Sequence, residues 1–208
     1  MAKPLVFNAA RKQQRVVAAQ FIRHTHRVAV TSGLPILVIS ECHQHGSTFG
    51  ERLADAFQQI FDRGFERVIA IGNDCPTLTA ADLRVAAQKL DTANAVFGPA
   101  ADGGAYLVGL RRDAFEPEAF AALDWQTDRT LADLEAYVAG GFSCLSEKSD
   151  VDSATGLQRQ LRSHLFPIFL KTRLLHLLNL SSPRWVDHPV FAPKAALLSA
   201  VGLRGPPL

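Results

Sequence analysis

RVIAIGNDCPTLTAADL (67–83) and AVFGPAADGGAYLVGL (95–110) each set an apolar run against a short polar loop, and their reading decides the fold. The runs RVIAIG (67–72), NAVFG (94–98) and AYLVGL (105–110) are almost continuously β-branched and aliphatic, as strands buried on both faces are. PILVIS (35–40) reads the same way, LVF (5–7) is a candidate first strand, and FSCL (142–145) is a less regular one. Stretches of helical period lie between them, at about 9–27, 49–63, 80–90 and 127–139. In the second, Phe49, Leu53, Ala56, Phe57, Ile60 and Phe61 share one face. The third opens on Thr79 with Asp82 three residues later, a capping box in which Asp replaces Glu or Gln. Gly64, Gly140 and Gly141 fall where helices should end. Strand–helix alternation of this kind predicts an α/β fold with a mostly parallel central sheet covered on both sides.

The 208 residues suffice for one domain with a sizeable core. Hydrophobic residues make up 48% and charged residues 20%, an ordinary globular composition. A formal charge of +2 gives no bulk electrostatic case for nucleic acid. Cys42, Cys75 and Cys144 are far apart and odd in number, which suits a reduced, cytoplasmic setting better than a disulfide framework. Nothing at the N-terminus reads as a signal peptide. No apolar run approaches the roughly 18 residues of a membrane span, so stable membrane insertion is not expected.

The chain changes character after about residue 157. LQRQLRSHLFPIFLKTRLLHLLNL (157–180) combines an apolar stripe with Arg159, Arg162, Lys171 and Arg173, interrupted by Pro167, before a proline-bearing tail. A basic amphipathic helix can lie on a membrane surface, but more often it packs on its own domain or on a partner. The expected organisation is an α/β domain over 1–157 and a C-terminal helical extension over 158–208. That extension packs on the domain or forms a homodimer.

Three loops carry candidate chemistry. Asn73-Asp74-Cys75-Pro76 leaves the strand RVIAIG, and ligands of open α/β sheets bind at the carboxyl ends of strands. An Asp there suits a hard cation that bridges to phosphates. A turn shaped by Asn73 and Asp74 before proline accounts for the same letters. Gly98-Pro99-Ala100-Ala101-Asp102-Gly103-Gly104 offers a second carboxylate beside two flexible glycines, although an Asp-Gly hairpin turn would read identically. Asp150-Val151-Asp152-Ser153 is either a third acidic strand end or an acidic capping turn. The histidines show no metal-ligand spacing, and no nucleophile elbow or phosphate-binding glycine motif is present.

Taken together, GSTFGERLADAF (46–57), the two opening segments, Asp124-Trp125 and DVDSATGL (150–157) resemble the bacterial family called domain of unknown function 2064. That family is glycosyltransferase-A-like, within the nucleotide-diphospho-sugar transferase superfamily, and the resemblance covers roughly 35–157. It implies a GT-A-like three-layer sandwich and a Mg²⁺ or Mn²⁺ ion held by Asp74 and Asp152. It further implies Asp102 as the catalytic carboxylate, with Asn73, Gly103, Gly104, Arg52, Lys12 and Arg15 contacting a nucleotide or nucleotide-sugar ligand. The family opens with a strand and a Gly- and Pro-containing loop, whereas VFNAARKQQRVV (6–17) contains neither residue. Two readings follow: a metal-dependent glycosyltransferase or nucleotidyltransferase acting on a nucleotide-activated substrate, or a GT-A-fold binding or assembly module with impaired catalysis.

Overall fold

A computed structural model describes residues 11–178 and 198–203. The elements follow in the order α1 (Arg11–Ser32), β1 (Ile36–Ile39), α2 (Phe49–Phe61), β2 (Arg67–Ile71), α3 (Ala80–Lys89), β3 (Ala95–Pro99) and β4 (Ala105–Arg111). After them come α4 (Pro117–Ala121), α5 (Thr130–Tyr137), β5 (Phe142–Cys144), α6 (Ala154–Arg162), α7 (Ile168–Leu178) and β6 (Leu198–Leu203). The apolar runs thus become strands almost residue for residue. The candidate strand LVF (5–7) lies outside the described residues.

The sheet is mixed, not mostly parallel. Its order is β1-β6-β2-β4-β3-β5. β6 is antiparallel to both β1 and β2. β4 is antiparallel to β2 and β3, and β5 lies parallel to β3. The correction has a simple physical cause. Only residues 100–104 join β3 to β4, and a parallel crossover needs on the order of a dozen residues. The same five residues close a hairpin, with the amide of Gly103 donating to the Ala100 carbonyl at 3.0 Å.

Alternation along the strands divides the core into two layers. Val68, Ala70, Ala95, Phe97, Val108 and Leu110 face α2, α4 and α5. Ile69, Ile71, Val96 and Leu107 face the opposite way, against Leu83 and Ala86 of α3, Leu90 at its C-cap and Ala29 of α1. The result is a three-layer sandwich. Its first layer is aromatic: Phe57 stacks on Phe115 at 5.7 Å, and Phe120 meets Phe57 and Trp125 edge-on at 5.3 and 4.9 Å. Such ring pairs add about 0.5–1.5 kcal/mol each to simple burial. Gly50 permits the close approach of α2 to α4, because a Cβ there would sit 2.1 Å from the Ala121 carbonyl oxygen.

Local signals fix the helix starts. Thr48 and Glu51 close a capping box on α2, and Thr79 and Asp82 close the expected one on α3. Ser153 caps α6 by accepting from the Gly156 amide at 3.0 Å. Beyond it, Leu157, Leu161, Phe166, Leu170 and Leu174 bury themselves against Val17 and Phe21 of α1 and against Val151. Leu198–Leu203, at the far end of the stretch read as a helical extension, is a strand inside the sheet.

Candidate functional site

The ends of β2 and β4 open into a cleft of about 300 Å³. Its floor is Ala70, Ile71 and the strand Ala105–Val108, and its apolar walls come from Phe21 of α1, Phe49 and Leu53 of α2, and Trp125. Four carboxylate residues line it: Asp74, Asp102, Asp128 and Asp150. Among the described residues, no Lys, Arg or His lines it.

Each acidic residue is placed by backbone chemistry. Asp74 leaves β2 just after Gly72, whose amide donates to the Tyr106 carbonyl at 3.0 Å and so continues the ladder with β4. The Asp74 carboxylate folds back over that glycine, where an added Cβ would lie 2.7 Å from Oδ1. The loop is anchored from outside as well: His24 Nε2 of α1 donates to the Pro76 carbonyl at 2.9 Å. Burial holds the His24 imidazole below its ordinary pKa, partly offset by that hydrogen bond. The amide of Val151 donates to the Asp74 carbonyl at 2.8 Å, which ties the Asp150 loop to the end of β2.

Asp102 sits in the hairpin loop and accepts the Gly104 amide on Oδ1 at 3.0 Å, an Asx turn, and its residue lines the cleft. Gly103 has a left-handed backbone (φ 86°), and a Cβ there would lie 2.0 Å from the Asp128 carbonyl oxygen. The Leu131 amide donates to the Gly103 carbonyl at 3.0 Å. The hairpin loop and the 126–131 segment are thereby locked together along the rim. Gln126, also on the rim, takes φ 67°.

Cys75 is buried beside this acidic cluster. Desolvation first, then the charges of Asp150 and Asp74, push its thiol up to about 12, against a partial opposing hydrogen bond from Thr77. It therefore stays protonated near neutrality and is no nucleophile there.

The structure brings Asn73, Asp74, Asp102 and Gly104 to one cleft. Gly103 supports its rim from behind. Arg52, Arg15 and Asp152 are not among the cleft residues. Arg52 donates from Nη1 to the carbonyls of Gly46 and Ser47 at 3.4 and 3.3 Å. Arg15 is exposed on α1, and Lys12 belongs to α1 with its side chain outside the described residues. Asp152 stands directly ahead of the helix-capping Ser153, where the chain turns away, and Asp150 holds the place inside the cleft. The sequence reading also missed Asp128, which carries no local signal. Trp125 did carry one, because a large aromatic in a polar stretch usually packs.

A lining whose charged side chains are all carboxylates, with no Cys or His among them, fits a hard divalent cation better than a soft one. Among the described residues no group of three or more His, Cys, Asp or Glu could hold a metal ion by itself. A Mg²⁺-type ion would take one or two carboxylates from the protein and share the rest of its shell with water and substrate phosphates. Asp74 and Asp150 are the residues that would hold it.

The model of a bacterial family described as "Uncharacterized protein conserved in bacteria (DUF2064)" matches residues 6–127. A crystal structure of a "putative nucleotide-diphospho-sugar transferase" from Desulfovibrio desulfuricans G20 aligns with a TM-score of 0.65 at 22% identity. The alignment covers 81% of this chain and 86% of that one, so the two share a fold. No curated protein matches the chain.

Proposed function

The chain belongs to the DUF2064 family, and from that premise we propose that it is a divalent-metal-dependent transferase acting on a nucleotide-activated substrate, of the glycosyl- or nucleotidyltransferase kind. The observation that carries this reading is the convergence of Asp74, Asp102, Asp128 and Asp150 on one cleft at the strand ends of an α/β sheet. Four carboxylates, with no lining cation among the described residues, would repel a diphosphate, so a phosphorylated ligand enters this cleft together with its own metal. When bound, the metal would neutralise charge developing on the leaving phosphate.

This chain's own residues do the rest. Asp74 and Asp150 are held at fixed separation by the Val151–Asp74 backbone bond and present their oxygens from two loops. Asp102 accepts hydrogen bonds from the hydroxyls of a sugar or acceptor and orients them against the reacting centre. Trp125 and Phe49, whose rings meet at 5.6 Å, offer an apolar wall for a sugar or base face. The buried Phe21 and Leu53 sides keep bulk water from that half of the cleft.

Thermal shift with Mg²⁺ or Mn²⁺ and a panel of nucleotides and nucleotide sugars tests the proposal. A ligand at a hundred times its dissociation constant adds about 2.7 kcal/mol, which raises the midpoint by several degrees. The shift should need metal and should vanish in Asp74→Ala, whose own melting stays near that of the parent. If no member of the panel moves the midpoint with metal present, the transferase reading fails.

One observation favours a second reading. With no Lys or Arg lining the cleft among the described residues, a polyhydroxylated ligand without phosphate would fit equally well. The protein would then be a binding or assembly module on the same fold. Stabilisation by free sugars, independent of metal, would select it.

A further inference from the structure

α1 and α7 turn one face toward the core and another outward, and the outward face is both apolar and basic. Leu170 and Leu174 point in, buried against Val17 and Phe21. On the other side Ile168 is 75% exposed, Phe169 51% and Leu165, just ahead of α7, 68%. Arg27 of α1 and Arg173 of α7 both lie over the Phe169 ring, at 4.5 and 5.0 Å from its centre. Beside this ring is a hollow of about 310 Å³ lined by Gln20, Arg23, Thr172, Arg173, His176 and Leu177. Residues 1–40 and 153–186 contain no Asp or Glu, so nineteen of the twenty acidic residues lie between Glu41 and Asp152. The near-neutral total therefore conceals a strongly polar molecule, with an acidic cleft domain and a cationic α1–α6–α7 face.

We propose that this face docks the protein on an anionic lipid surface, with Leu165, Ile168 and Phe169 entering the acyl boundary and Arg23, Arg27 and Arg173 meeting headgroup phosphates. Peripheral membrane binding needs both components, apolar area for depth and cations for attraction to anionic lipid. The hollow between α1 and α7 has the donors to take one phosphate, the Arg23 and Arg173 guanidiniums and the His176 ring. Arg173 uses one N–H on Gln20 Oε1 at 3.3 Å. The Thr172 hydroxyl donates to the Ile168 carbonyl at 3.0 Å and only lines the wall. A second copy of this chain is a poor occupant. A two-fold interface places the same patch on both sides, and here that opposes two faces built from α1, α6 and α7, elements that carry arginines and no Asp or Glu of their own. Nucleic acid would use the arginines but leave Leu165 and Ile168 in water. The attachment is to a surface and not across it, since among the described residues no helix is long and apolar enough to span a membrane. It stands whether or not the cleft is a transferase site.

Vesicle flotation of the full chain provides the test, using phosphatidylcholine alone and phosphatidylcholine mixed with phosphatidylglycerol. Binding should require phosphatidylglycerol and fall steeply with added salt. Two double variants, Ile168→Asp with Phe169→Asp and Arg23→Glu with Arg173→Glu, should each weaken partitioning by at least about tenfold. Circular dichroism melting confirms that both remain folded; should the first not, Ile168→Ser with Phe169→Ser replaces it. Failure to float with phosphatidylglycerol vesicles overturns the proposal, as does equal binding to phosphatidylcholine alone. A dimer in light scattering that the apolar variant breaks would assign the face to self-association instead. RNA binding lost only in the arginine variant would assign it to nucleic acid.

Discussion

Val151 donates its backbone amide to the carbonyl of Asp74 at 2.8 Å while its side chain is fully buried beside Phe21 and Leu157. One residue thus couples the helical layer of α1, α6 and α7 to both of the acidic loops that would share a metal. Val151→Ala should cost roughly 2 kcal/mol through the cavity it leaves, between the usual Ile→Val and Leu→Ala values. It should also weaken metal-dependent stabilisation by nucleotide, because the Asp74–Asp150 spacing relaxes. Leu134→Ala, buried on the opposite side of the sheet, is the control. Denaturant melts with and without metal and nucleotide should show the ligand term falling only in Val151→Ala; an equal fall in both variants sinks the coupling.

Gly103→Ala should be among the most damaging surface substitutions in the chain. A methyl group would have to occupy a site 2.0 Å from the Asp128 carbonyl oxygen, at a backbone φ of 86° that L-residues avoid. Left-handed strain alone is roughly 1–2 kcal/mol, and the clash forces the hairpin loop off the 128–131 segment. A stability loss of at least about 2 kcal/mol is expected, read from chemical denaturation. A loss below about 0.5 kcal/mol, the range of neutral surface changes, would show that the rim is not locked as described.

How far the sequence carries toward this site can be traced residue by residue. The strands 67–71, 95–99 and 105–111 follow from continuous apolar runs, and α2 and α3 from their caps and faces. Strand direction did not follow, because period and composition are the same for either orientation; it depends on the length of the Ala100–Gly104 connection. Leu198–Leu203 was hidden in a stretch with Ser, Ala and Gly whose strand character comes only from its slot between β1 and β2. Asp74 and Asp102 were legible because each directly flanks a strand. The resemblance pointed to Asp152, whereas Asp150 lines the cleft, and either letter of Asp-Val-Asp fits the same local pattern until the chain turns at Ser153. Asp128 lines the cleft from a segment packed on Gly103, a contact no local pattern encodes.

The Cys75 thiol gives the folded protein a pH signature. Its pKa is raised from 9.0 to about 12 by burial and by the nearby Asp150 and Asp74. Above pH 9 the unfolded chain gives up this proton while the folded chain keeps it, so ν_U is smaller than ν_N and stability falls with rising pH. The contribution is fully present below about 9 and is lost progressively toward 12. Unfolding curves for the parent and Cys75→Ala between pH 8 and about 11 should therefore converge or cross as pH rises. Parallel curves would mean that Cys75 is not buried in the folded state. Alkylation at neutral pH should likewise modify the exposed Cys42 and Cys144 and spare Cys75.

Asp102 has two roles that a single substitution can separate. As the acceptor of the Gly104 amide at 3.0 Å it shapes the hairpin loop, and as a charged group in the cleft it would orient ligand hydroxyls. Asn keeps a carbonyl oxygen at the same position and forms Asx turns as readily as Asp, so Asp102→Asn should hold stability within about 0.5 kcal/mol of the parent. The ligand, by contrast, loses charge-assisted hydrogen bonds, which are roughly twice as strong as neutral ones. If Asp102 orients ligand hydroxyls, Asp102→Asn should weaken binding of whichever nucleotide sugar stabilises the parent by about tenfold, equivalent to about 1.4 kcal/mol. Metal affinity, if Asp74 and Asp150 hold the ion as proposed, should barely change. Isothermal titration of both ligands against the parent, Asp102→Asn and Asp74→Ala distinguishes the roles. Loss of metal binding in Asp102→Asn would move Asp102 into the cation site. Unchanged sugar binding would leave it a turn residue only.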